Sequence, residues 1–197
     1  MTIEIVTGRE LGEDYRRPIT EVFADAFGPD FSYFAKSTAQ LTDTFEHMLV
    51  LDLFYVALVD GRPAGITACT DGRQQCVAPN GGQLRKHLGP VNGTIAHFVF
   101  RREFLRTIRE AGDATASLEF VGTSSRHQGR GVATALLTHL LALPRYSEYL
   151  LEDIADTNST ALALYERLGF VEYKRRNVRH TKRTGINHYI SMKLVQN

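Results

Sequence analysis

A mixed α/β fold is what this sequence predicts: one sheet holding both parallel and antiparallel strands, with helices packed on it. Three observations carry that expectation. Residues 115–169 run strand, helix, strand, helix, an order that requires a parallel pair of strands. Two apolar runs, 53–59 and 64–70, flank the turn Asp60-Gly61-Arg62-Pro63 and read as an antiparallel hairpin. Segments 170–176 and 187–195 read as a second hairpin, separated by a basic stretch.

In chain order, residues 2–7 (TIEIVT) alternate as a short strand, and 15–27 and 38–50 carry apolar residues at helical spacing. The hairpin 53–70 comes next. Residues 71–93 hold five glycines and two prolines and read as a long loop with a helical turn at 84–88, while 94–110 show a helical register ending near Gly112. Strand 115–123 leads through a glycine-bearing turn into a helix over 129–143, stopped by Pro144. Strand 149–154 precedes a helix capped by Asn158 and closed by Gly169. No repeat, low-complexity tract or linker divides the chain, so a single domain over 1–197 is expected.

Composition narrows the function. With 43% hydrophobic and 23% charged residues, and 23 Lys and Arg against 22 Asp and Glu, the 197-residue chain is neither disordered nor polycationic. Two cysteines, Cys69 and Cys76, are too few for a disulfide scaffold or a four-thiolate zinc site, and the seven histidines fall into no zinc-ligand spacing, so no metal is expected. The longest apolar segment, 49–59, is interrupted by Asp52, and no basic leader precedes an apolar stretch; a cytoplasmic protein without a membrane association is expected. Six of the 23 Lys and Arg lie in 174–183 (KRRNVRHTKR), which contains no acid, so the rest of the chain is net acidic. That stretch reads either as a solvated hairpin or as a lure for an anionic cofactor or acidic acceptor.

The chemistry concentrates in residues 118–137 (LEFVGTSSRHQGRGVATALL), where Gly129 and Gly131 stand between a strand and a helix. The first amides of a helix lack intrahelical acceptors and sit at the positive end of its dipole, so such a turn suits a phosphate. A P-loop is excluded because Val132-Ala133 follow Gly131, and a dinucleotide fingerprint is poorly matched because position 134 is Thr134. Ser124 lacks the glycine that closes a nucleophile elbow, and Cys69 reads as a buried thiol on an apolar strand.

What remains, Gln128-Gly129-Arg130-Gly131-Val132-Ala133, resembles the Arg/Gln-x-x-Gly-x-Gly/Ala motif of the GCN5-related N-acetyltransferase (GNAT) superfamily. Residues 152–170 (EDIADTNSTALALYERLGF) resemble that family's second signature, a strand, an asparagine and a helix ending in Leu-Tyr-Glu-x-Leu-Gly-Phe. Together the two matches cover 115–173. The resemblance implies an acyl-CoA N-acyltransferase fold, whose two central parallel strands splay apart, and an acyl transfer from acetyl-CoA, as cosubstrate, to a primary amine of a small molecule or peptide. It implies a phosphate turn formed by Gln128, Gly129, Arg130, Gly131, Val132, Ala133 and Thr134, chiefly through the amides from Gly129 onward. By the same carry-over, the backbone of Val121, Gly122 and Thr123 would face the pantetheine arm and the acetyl end, and Asn158 would touch the cofactor from the second strand's end. Thr123 and Ser125 depart from the family pattern without removing a donor amide.

An alkylamine is neutral in only about four molecules in ten thousand at pH 7, so a base must take its proton. Glu119 resembles the family's acidic residues on this strand and, by the period of two, would share a face with Val121 and Thr123. Asp153 matches a carboxylate used from the second strand, with Glu152 facing the opposite way. Either could instead cap, pair with an arginine or meet solvent. Tyr165 matches the family's general acid for the departing thiolate, although Ala161, Leu164, Tyr165 and Leu168 also form one apolar stripe. A backbone amide near Val121 to Thr123 could serve the oxyanion. A non-catalytic coenzyme A sensor is the alternative to an enzyme; a nucleic-acid binder built on 174–183 is disfavoured by the neutral balance of charge and the lack of interleaved aromatics. No nucleic acid or membrane partner is expected, and assembly as a homodimer stays open.

Overall fold

The computed structural model describes residues 1–105, 114–178 and 185–196. The strands are β1 (Ile3–Thr7), β2 (Phe54–Val59), β3 (Arg62–Thr70), β4 (Thr115–Thr123), β5 (Glu148–Ala155), β6 (Val171–Asn177) and β7 (His188–Val195). The α-helices are α1 (Gly8–Leu11), α2 (Arg16–Phe27), α3 (Thr38–Phe45), α4 (Gly81–Leu88), α5 (Pro90–Phe104), α6 (Val132–Leu141) and α7 (Ser159–Arg167). The strands form a seven-stranded sheet in the order β1-β2-β3-β4-β5-β7-β6. β4 and β5 are parallel and every other neighbouring pair is antiparallel.

Each sheet face has its own core. On one face, Ile19, Phe23, Phe45, Leu84, Ala96 and Phe100 from α2–α5 pack on Phe54, Val56, Ile66 and Ala68. On the other, Leu137 and Leu140 of α6 and Tyr165 of α7 pack with Leu118, Leu151, Ile190 and Met192. The expected alternation and helical spacing therefore match the elements at the chain's two ends and at the central pair.

Four local expectations change. The helix expected over 38–50 ends at Phe45, because the backbone beyond it is taken by a neighbouring segment: Ala78 N donates to Met48 O at 2.7 Å and Val50 N to Cys76 O at 3.0 Å. Residues 81–88 are helix rather than loop, since Asn80 Oδ1 accepts from both Gly82 N (2.9 Å) and Gln83 N (3.1 Å) and so offsets two glycines in the first turn. Pro90 occupies the first turn of α5, which therefore starts before the expected 94; the expected end near Gly112 lies outside the described residues. α6 begins at Val132 because Gly131 is left-handed (φ 81°), and it ends at Leu141, before Pro144, where Tyr149 OH donates to Leu140 O at 3.0 Å.

His47 lies where α3 gives way to this crossing. Neither ring nitrogen has a hydrogen-bond partner among the described residues, and burial, with His87 and the Arg16 guanidinium nearby, pulls its pKa down to about 4. Arg16 is held there by its bonds to Glu46 O (2.9 Å) and Leu49 O (2.8 Å). A base with a depressed folded pKa leaves the native state with fewer bound protons than the unfolded chain between about pH 4 and 6.5, so stability falls as pH drops through that window. His47→Leu should remove this sensitivity: the drop in melting temperature from pH 7 to pH 5 should shrink by ~2–4 °C, on the order of 1 kcal/mol once partial solvent screening is allowed for. Thermal melts of both proteins at the two pH values check it.

Candidate active site

The parallel pairing of β4 with β5 covers only Thr115–Ser117 against Glu148–Leu150, although both strands continue to Thr123 and Ala155. Just beyond the last pair each strand carries a bulge. Phe120 and Asp153 both have φ 53°, and each strand gains one residue against its outer neighbour, between Ile66 and Ala68 for β4 and between Leu151 and Ile154 for β5. Extending the pairing register outward sets Glu119 level with Glu152 and Phe120 level with Asp153. The splayed central pair that the family resemblance implies is present, and the matched bulges are its local cause.

The bulge overturns the expected facing of Glu119. Glu119 pairs with Ala68 of the α2–α5 face, and Phe120 points to the same side, its ring 5.2 Å from Phe23 and 5.6 Å from Phe104. Val121 packs in the opposite core with Leu118. Glu119 therefore does not share a face with Val121 and Thr123, because the extra residue shifts the alternation by one. Its Oε1 accepts from Thr70 Oγ1 at 2.9 Å and its Oε2 from the Cys76 thiol at 3.4 Å. Burial pushes the carboxyl above its ordinary range, against the opposing effect of Thr70, Cys76 and Ser117. Cys69, on the other side of β3, is a buried thiol pushed up to about 12, chiefly by burial.

The second bulge acts in the same way on β5. Leu151 and Ile154 belong to the α6–α7 core, whereas Glu152 and Asp153 both turn to the other face, so Glu152 does not face away from Asp153 as expected. Glu152 accepts from Ser191 Oγ at 2.9 Å and from Tyr173 OH, with Lys174 Nζ at 4.0 Å. Asp153 is exposed and paired with Arg176 at 3.0 Å. Tyr165 is 5% exposed among the apolar side chains of α7 and neighbours Phe170 at 6.1 Å. Burial raises its pKa to about 12, and its hydroxyl makes no hydrogen bond among the described residues.

At the mouth of the splay the chain leaves β4 through Ser124, makes a short 3-10 turn over Ser125–His127, and enters α6. Gly129 (φ 72°) and Gly131 (φ 81°) are left-handed, a conformation that glycine alone adopts without cost. The amides of Gly129, Gly131, Val132, Ala133 and Thr134 meet no acceptor among the described residues, and Gln128 to Gly131 are exposed. Asp25 of α2 anchors the approach by accepting from Ser125 N at 2.6 Å. Val121 to Thr123 pair with β3 on one side only. Asn158 caps α7 through Oδ1, which accepts from Ala161 N at 3.2 Å, leaving its side-chain amide exposed.

Of the basic stretch, Lys174, Arg175 and Arg176 each stand beside a carboxylate: Glu152, Glu172 at 2.6 Å and Asp153. Its described part is thus a paired strand surface rather than free positive charge; Arg179, Lys182 and Arg183 lie outside the described residues. The sequence assigns no part in the site to Thr70, Cys76 or Tyr173. Their part depends on strand register and on the 71–78 connection, which no local pattern encodes, whereas Ser117 stands two residues from Glu119 and alternation alone could have found it.

The sequence pattern of the acetyltransferase (GNAT) family matches residues 17–170. No curated protein matches the chain. Among solved structures it is similar to the histone acetyltransferase HPA2 and related acetyltransferase of Corynebacterium glutamicum, with a TM-score of 0.64 and 20% identity over 100% of this chain and 98% of that one. It is also similar to an N-acetyltransferase of Staphylococcus aureus (0.59, 17%, 98% and 100%), and to a Salmonella typhimurium protein solved with its cofactor acetyl-CoA (0.59, 15%, 100% and 95%). At these identities the likeness is one of fold. The family pattern spans the glycine turn, both splayed strands and Tyr165, and the chain belongs to the acetyltransferase (GNAT) family.

Proposed function

We propose that the protein transfers an acetyl group from acetyl-CoA directly to a primary amine of a small molecule or a peptide. The observation that carries this reading is the row of acceptor-free amides at Gly129, Gly131, Val132, Ala133 and Thr134, opening onto the gap between β4 and β5. Two left-handed glycines let a diphosphate approach those amides, and the start of α6 adds its dipole. Gln128 and Arg130 flank the turn from exposed positions. The unpaired edge of β4 from Val121 through Gly122 to Thr123 can accept an extended pantetheine arm in the manner of an added strand, with Asn158 meeting the cofactor from the end of β5. Acetyl-CoA supplies the activated thioester.

Glu119 is the proton acceptor in this reading. Its burial raises the carboxyl toward the pH at which it must work, and Thr70 and Cys76 hold both oxygens in place. Tyr165 is the proton donor to the departing sulfur; a phenol at about 12 stays protonated across the working range. An amide within Val121–Thr123 stabilises the developing oxyanion. Asp153 ranks below Glu119, because its ion pair with Arg176 leaves it exposed and oriented by β6.

Three measurements test the assignment. Gly131→Ala forces a side chain into left-handed backbone (φ 81°) although no atom lies within 4 Å of the new Cβ. Calorimetry with coenzyme A should show ~10-fold weaker binding, with a loss of stability of only about 1 kcal/mol; an unchanged affinity removes the turn from the site. Glu119→Gln should lower kcat ~100-fold and abolish the acid limb of the kcat/KM profile, which in the parent protein should lie above the ordinary carboxylate range. Tyr165→Phe should reduce thiol release ~10–100-fold with coenzyme A binding retained, and undiminished turnover across pH dismisses its role. An amine panel of polyamines, aminoglycosides, amino acids and peptide N-termini supplies the acceptors for both assays.

A further inference from the structure

Thr70 ends β3, and the connection that follows turns at once. Asp71 Oδ1 accepts from Arg73 N (2.9 Å) and Gln74 N (2.8 Å), and beyond that turn Cys76 and Val77 enter the core of the α2–α5 face. There the connection is strapped to the chain that follows α3. Leu49 bridges Val77, Ala78 N donates to Met48 O at 2.7 Å, and Val50 N donates to Cys76 O at 3.0 Å. Cys76 is left 3% exposed, with its thiol against Glu119.

Glu119 is gripped at three atoms. Thr67, the β3 residue between Ile66 and Ala68 where the register shifts, donates through Oγ1 to the backbone oxygen of Glu119 at 3.1 Å. Thr70 Oγ1 donates to Oε1 at 2.9 Å and the Cys76 thiol to Oε2 at 3.4 Å. Gly72 N donates to Thr70 Oγ1 at 3.1 Å and takes up an acceptor site of that hydroxyl, so the hydroxyl proton is directed to the carboxylate. Burial and the adjacent carboxylate push the Cys76 thiol up, so it stays an S–H donor.

The surroundings are otherwise apolar. The buried side chains that α2, α3, α4 and α5 contribute are apolar or threonine, and Ser117, which pairs with Thr70, is a third polar neighbour on β4. Arg16, His47 and His87 stand together where α3 ends, and His97 of α5 lies against Gly81, where a Cβ would meet its ring at 3.2 Å. Across the gap Glu152 is engaged by Tyr173 and Ser191, with Lys174 at 4.0 Å, and Cys69 lies on the opposite side of β3. Among the described residues, the groups that act on the Glu119 carboxyl besides burial are Thr70, Cys76 and Ser117. An apolar wall favours the neutral acid, whereas a donor to the charged form favours the carboxylate. We propose that Thr70 and Cys76 are positioning residues, which set the pH at which Glu119 ionises by donating to its charged form. The inference rests on the reading of Glu119 as proton acceptor, and it gives the 71–78 connection a part in that chemistry, since its strap to the end of α3 holds one of the two donors in place.

Two readouts follow Glu119 in the full chain: the acid limb of kcat/KM with the most active amine of the panel, and the infrared band of the neutral carboxyl, assigned by its loss in Glu119→Gln. Thr70→Val, which deletes the hydroxyl at nearly constant shape, should move both up by about one pH unit, the ~10-fold change in equilibrium that one hydrogen bond to a charged group supplies. Cys76→Ala should move both up by about half a unit, a thiol being the weaker donor, and it carries the prediction alone if Thr70→Val does not fold. Thr70→Ser and Cys76→Ser restore a hydroxyl at each position and should return both readouts toward the parent values. A role confined to packing gives a lower melting temperature with neither readout moved, and that result overturns the proposal, as does a shift to lower pH. A carboxyl band that moves while the acid limb stays in place upholds the two donors and overturns only the reading of Glu119 as the base.

Discussion

Phe120 and Asp153 take left-handed backbone at the level where β4 and β5 would otherwise continue to pair, and the cleft exists because both do so together. A bulge in one strand alone would leave a local irregularity; bulges at matching register turn both strands away from each other. Each such residue costs on the order of 1–3 kcal/mol of backbone strain. At Phe120 the cost is offset by aromatic packing, with Phe23, Phe27 and Phe104 all within 5.7 Å of its ring. At Asp153 the residue type itself tolerates the conformation, and the exposed bond to Arg176 adds little.

The same bulges sort the polar groups. Without them, Glu119 and Phe120 would point to opposite faces, as would Glu152 and Asp153. With them, two carboxylates at matching register lie on one face of the sheet beside the opening, each satisfied by hydroxyl or thiol donors from a neighbouring strand or connection. Their surroundings differ. Glu119 sits behind α2–α5, where desolvation favours the neutral form. Glu152 is met by Tyr173, Ser191 and Lys174 on the β7–β6 side. The cleft therefore has an apolar-walled side and a polar, charge-paired side, and the carboxyl whose pKa burial raises belongs to the first.

The α4–α5 excursion is coupled to this centre through one chain of aromatic contacts. Phe100 and Phe104 reach Phe31, Phe45 and Phe120, so α5 also supports the bulge in β4.

Signals contained in a few consecutive residues were legible in the sequence. The hairpin turn at Asp60, the caps at Asn158 and Gly169, the strand over 115–123 and the glycine turn into α6 all follow from propensity, periodicity and the freedom of glycine, and the family's two motifs lie in the same spans. The sequence by itself thus determined a mixed sheet, its parallel centre and the position of the glycine turn that opens α6. Tertiary structure alone decided which way the carboxylates face, that Thr70 and Cys76 hold Glu119, that α3 stops at Phe45, and that Lys174, Arg175 and Arg176 are paired. The reason is physical: a bulge shifts alternation by one residue only against a partner strand, and a charge is neutralised only by a neighbour that folding brings from elsewhere in the chain.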